Sequence, residues 1–172
     1  MNNTKAMIRG ALIIAMGLLV PTVFHLTSVS GAIFLPMHLP ILVGAAFVNP
    51  WIALVAGALT PLASSIATGM PPLFPIAFLM TFELAVYGWT MSWLLNKKRV
   101  NIYAALIIAM IAGRTALGLA AVVTTSLFAV QLNPFMYMKG AILTGLPGMA
   151  LQLLLVPVLI KALSASLQFR RG

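Results

Sequence analysis

Apolar runs of bilayer-spanning length follow one another along almost the whole chain, and they leave lipid as the solvent for the fold. A helix needs about 20 predominantly apolar residues to cross a hydrocarbon core. The 172 residues have room for about six such helices with short loops, and none for a separate soluble domain. Charged residues make up 6% of the chain, against about 25% in a soluble domain. A soluble fold built from it would have nothing to cover its surface with. The expected fold is therefore all-α and integral to the membrane, one domain over 1–172.

Proline, glycine and asparagine mark the boundaries. Helices are expected over about 6–24, 37–48, 50–68, 76–95, 102–130 and 139–167. The first has a basic start like a signal peptide. The segment after it is itself hydrophobic and no small-residue cleavage site follows, so it reads as a retained helix. Asn49-Pro50 and Asn133-Pro134 read as turns. Pro61 predicts a kink in the third helix. Segment 69–75, GMPPLFP, holds three prolines and reads as a shaped loop, as do 25–36 and 131–138.

The basic residues orient this arrangement. Lys5 and Arg9 lie at the N-terminal end, Lys97, Lys98 and Arg99 fill the 96–101 loop, and Lys161, Arg170 and Arg171 lie at the C-terminal end. With six helices these eight of the ten basic residues fall on one side, which the positive-inside rule makes cytoplasmic, with both termini. The shaped loops then face outward, as if to receive something from outside. The formal charge of +9 therefore reflects orientation, and nucleic acid is not an expected partner, since no binding module of the usual kinds is visible.

Two ionisable residues lie deep in apolar runs, Glu83 and Arg114. A lone charge at mid-membrane costs about 2.5–3.5 kcal/mol on insertion scales, and Glu83 is the one acidic residue of the chain. Their helices are joined by a short loop, so a contact between them is expected. It is either a purely structural ion pair or part of a substrate cavity. His38 sits between Pro36 and Pro40 at the outer start of the second helix, as a cap or a ligand contact. His25 reads as interfacial. Phe74, Phe135 and Tyr137 occupy the outer loops, where aromatic rings can stack on a ligand. Trp51, Trp89 and Trp93 read as an interfacial belt.

Catalytic signatures are missing. The chain lacks a Walker A loop, HExxH, GxSxG and paired aspartates. One acidic residue cannot supply an acid–base pair, so no enzyme is expected, and ATP coupling must come from a partner. Without cysteine, and with two histidines far from other carboxylates or thiolates, no metal or catalytic cofactor is expected. The eleven methionines read as packing filler. Ala11 and Ala15 put two small side chains on one helix face, for internal packing or for docking another membrane subunit.

The run FLPMHLP, helix, NPW, helix, TPLASSIATGMPP, loop, FELAVYG, together with Ala11-x-x-x-Ala15, resembles the S components of energy-coupling factor (ECF) transporters. The likeness covers nearly the whole chain and is strongest from Phe34 to Gly88. It implies a multi-pass subunit of a prokaryotic plasma membrane that captures a vitamin outside and topples to release it inside. It also implies a membrane-embedded T subunit and two cytoplasmic ATPases as partners, with Ala11 and Ala15 against the T subunit. The site it implies lies in the outer half, at His38, Met70, Phe74, Glu83, Tyr87, Arg114, Asn133 and Tyr137. The LPMHLP and TGMPP patterns look most like the group that includes cobalamin-type S components. Pantothenate, niacin, folate, pyridoxine and queuosine-like bases compete, and Arg114 would favour a carboxylate. A stand-alone secondary transporter, with a proton riding on Glu83, is the rival reading.

Overall fold

The structure is a computed structural model, described for residues 3–26, 31–128 and 132–169, and these residues are all helix and connecting turns. The helices are α1 (Asn3–Leu26), α2 (Gly31–Phe34), α3 (His38–Ala45), α4 (Pro50–Thr68), α5 (Phe78–Ser92), α6 (Ile102–Phe128) and α7 (Pro134–Phe169). Five segments among the described residues are long and apolar enough to cross a membrane: Thr4–Phe24, Pro50–Thr68, Leu73–Lys97, Ile102–Phe128 and Pro134–Ser166.

The helix expected over 37–48 is shorter. It is the eight-residue α3, preceded by the single turn α2, which lies inside the expected loop 25–36. Leu35 separates the two with a left-handed φ of 50°, a conformation that a leucine adopts only when its surroundings hold it there. Helix α3 leaves carbonyls unsatisfied at its end, a large cost away from water. Neighbours satisfy them. Asn96 donates to the carbonyls of Ala45 (3.1 Å) and Val48 (2.8 Å), Ser92 to Val48 (2.7 Å), and Arg9 to Phe47 (3.0 Å).

Asparagine starts the longer helices. Asn49 Oδ1 accepts from the Ile52 N–H at 2.9 Å with Pro50 at the first helical position, which suits a residue whose N–H would be unpaired there anyway. Asn133 does the same for α7, accepting from Phe135 and Met136. The expected loop 131–138 is therefore corrected: the last helix begins at Pro134, not at 139. It continues through Pro147 and Pro157, as α4 does through Pro61.

Gly69 ends α4 in the left-handed region, φ +72°, the usual glycine helix end. The Met70 carbonyl then accepts from Ser64 and Thr68, and the Met70–Pro71 and Phe74–Pro75 peptides are cis. Segment 69–75 is thus a turn, as its prolines predict, but its end winds into the next helix through one wide turn, Leu73–Ala77.

Helix α5 is the centre of the bundle, packed mainly against α4 and α6. Leu79, Leu84, Tyr87 and Met91 on it are fully buried. The α4–α5 approach is backbone to backbone: a side chain on Gly57 would collide with the Leu84 carbonyl, and one on Gly88 with the Ala53 carbonyl. Small residues allow this closeness between membrane helices. On α1, Gly10, Ile13 and Gly17 face the bundle, while Ala11 and Ala15 are exposed alongside Leu12, Met16 and Leu19.

Candidate functional site

A cavity of about 850 Å³ opens at the end of the bundle where α4 gives way to α5. Its wall is built by Pro21 of α1, the α2–α3 segment, the Met70–Pro72 turn, Ile76 with the first half of α5, Arg114 and Leu117 of α6, and the start of α7. Helical spacing explains which side chains face it. Ile76, Met80 and Glu83 recur at i, i+4 and i+7, and Met136, Gly140 and Thr144 at i, i+4 and i+8, each series one face of a helix.

Three polar side chains gather at its floor. Arg114 Nη1 lies 2.9 Å from Glu83 Oε1, and His38 Nε2 lies 3.4 Å from the same oxygen. Their exposures are 8%, 2% and 1% for Arg114, Glu83 and His38, so the ion pair is screened by little water. The expected pairing of the single acid with the intramembrane arginine is present, and it stands in the cavity wall. The pair leaves capacity unused. Arg114 Nε and Nη2, His38 Nδ1 and Gln152 Oε1 are buried without hydrogen-bond partners. Such atoms usually find a partner, in protein, water or ligand.

Of the eight residues implied by the resemblance, His38, Met70, Glu83, Arg114 and Tyr137 line the cavity. Tyr87 lies behind them, fully buried, with its ring edge-on to His38 at 5.2 Å. It holds the imidazole in place, and Gly113 leaves room for its ring. Phe74 does not line the cavity; it packs against Phe78 and Phe128 at ring distances of 6.0 and 5.6 Å. Asn133 is spent capping α7. The side chains of His25, Arg170 and Arg171 lie outside the described residues. Among the described residues no group of three or more His, Cys, Asp or Glu could hold a metal ion.

Sequence reasoning missed Met80, Leu117, Met136, Thr144 and Gln152. The α7 stripe was readable once Asn133-Pro134 is taken as a cap followed by a proline at the first helical position. Gln152 had no local signal: its amide reaches the Leu35 carbonyl, at 3.4 Å, across 117 residues of sequence. This contact supports the strained Leu35 at the cavity rim.

Gly145 sits where a side chain would approach Arg114 Nη2 within 2.9 Å. Gly145→Val is therefore expected to push the guanidinium off Glu83, lowering the melting temperature in detergent by several degrees. An unchanged melting curve would show that Arg114 has room to move.

A bundle with five helices long and apolar enough to cross a membrane, and a mostly apolar cavity at one end, has the make-up of a multi-pass membrane protein. Residues 5–160 match the family model described as the substrate-specific component of ECF transporters. The chain belongs to that family, whose members are substrate-binding transporter subunits and not themselves enzymes. No curated protein and no solved structure matches the chain.

Proposed function

We propose that this protein captures a vitamin from outside the cell in the cavity floored by His38, Glu83 and Arg114, and delivers it inward with a membrane-embedded T subunit and two cytoplasmic ATPases. The observation that carries the reading is the cavity itself, a space of about 850 Å³ lined mainly by apolar side chains with His38, Glu83 and Arg114 among them. That size is within the usual range of small-molecule sites. Both termini and the 96–101 loop are cytoplasmic in this proposal, so the cavity mouth faces outward. The α2–α3 segment completes the sixth crossing, and the exposed Ala11 and Ala15 meet the T subunit.

Cobalamin is the vitamin favoured by the loop pattern, and the rim of Met70, Pro71, Pro72, Met80 and Met136 offers the broad apolar surface a corrin ring needs. One observation favours a second ligand. Arg114 lines the cavity, and its positive charge would complement a carboxylate of pantothenate, niacin or folate.

Calorimetric titration of the purified protein with cobalamin, pantothenate, nicotinate, folate and pyridoxine separates these readings. Binding of one of them at 1:1 stoichiometry, and co-purification with a T subunit and two ATPases, are the expected results. Uptake that continues without ATPase partners and collapses with the proton gradient would overturn the importer-subunit reading in favour of a secondary transporter.

A further inference from the structure

A second cleft, of about 650 Å³, opens at the opposite end of α4 and α5 from the cavity. All three tryptophans of the chain line it, together with Lys97 and Lys98. Trp89 and Trp93 stack with centroids 5.6 Å apart and planes 10° from parallel. Lys98 Nζ stands 5.2 Å from the Trp93 ring centre, and Trp51 is 70% exposed.

The charge here has no internal answer. Ten basic residues accompany a single acid, and that acid is spent on Arg114 inside the cavity. No carboxylate side chain is left to neutralise Lys97 and Lys98. The start of α4 adds the positive end of its helix dipole. From Trp51 an exposed apolar stripe runs along α4 through Val55 and Leu59, at the i, i+4, i+8 spacing of one helix face.

We infer that this cleft binds the phosphate headgroup of an anionic phospholipid, with one acyl chain lying along the α4 stripe. A soluble anion would use the lysines and have no use for the stripe. The combination of two cations, three indoles and an adjoining apolar track matches both halves of a lipid, and indoles favour the headgroup level.

Because every tryptophan lines this cleft and none lines the vitamin cavity, indole fluorescence of the whole protein reports on this site alone. In an uncharged maltoside detergent, phosphatidylglycerol is expected to change the emission saturably, whereas phosphatidylcholine and glycerol 3-phosphate at equal concentration leave it unchanged. Lys97→Ala/Lys98→Ala should weaken the phosphatidylglycerol response by roughly tenfold or more with the helical circular dichroism intact, and Lys97→Arg/Lys98→Arg should preserve it. An equal response to phosphatidylcholine would reduce the cleft to an ordinary aromatic belt and overturn the inference. A saturable response to glycerol 3-phosphate would make it a soluble-anion site and overturn the inference equally. The headgroup comparison on the unaltered protein decides the question even if the double variant fails to fold.

Discussion

Arg114→Gln alone is expected to destabilise the protein by roughly 3–5 kcal/mol, because it leaves a carboxylate buried without its cation. Glu83 is 2% exposed, and its remaining neighbour is His38 at 3.4 Å. Glu83→Gln strands the guanidinium in the same way. The double variant Glu83→Gln/Arg114→Gln replaces two charges by two amides that can bond each other, and should recover most of the loss. Thermal unfolding in detergent reads this directly. Additive losses in the double variant would show that the two groups do not act as partners. The same variant also settles what the pair is for. If it folds but binds no vitamin, the charges serve the ligand; if it folds and binds as before, the pair is structural.

Gly57→Val carries the other large effect. Its new side chain would run into the Leu84 carbonyl, and a backbone atom in a continuous helix cannot move aside as a flexible side chain can. Overpacking among side chains already costs about 1–3 kcal/mol, so a loss of at least about 3 kcal/mol is expected here, read as collapse of monodisperse yield on size exclusion. Gly140→Val is the contrasting change. A side chain there meets nothing within 4 Å, yet Gly140 lines the cavity. That variant should fold normally and bind ligand at least tenfold more weakly. Normal folding of Gly57→Val would mean that α4 and α5 are looser than their backbone contact indicates.

Helix positions were readable where chemistry is local. Asn49 and Pro50 start α4 by a cap and a preset φ, and neither needs a distant partner. The same dipeptide at Asn133-Pro134 starts α7, and reading it as a turn hid the stripe of Met136, Gly140 and Thr144. The second expected helix came out short at its far end, where residues 46–48 turn out of it before Asn49, and nothing in FLPMHLP reveals that Leu35 takes a left-handed φ ahead of it. Outer-loop position could not reveal that the Phe74 ring packs against Phe78 and Phe128.

The sequence by itself determined that the chain is helical and lipid-embedded, and pointed to a contact between Glu83 and Arg114. With one acidic side chain and one arginine deep in apolar runs, pairing was the cheapest way to avoid an unpaired charge. Only the tertiary structure decided that the pair forms the floor of a cavity, that His38 joins it, and that Tyr87 braces the imidazole from behind. It likewise brought Gln152 to Leu35 and gathered three tryptophans and two lysines at the far end. These contacts join residues from separate helices. Periodicity tells which face of a helix is apolar, but not which helix it meets or which turn of that helix it faces; side-chain packing between helices sets both.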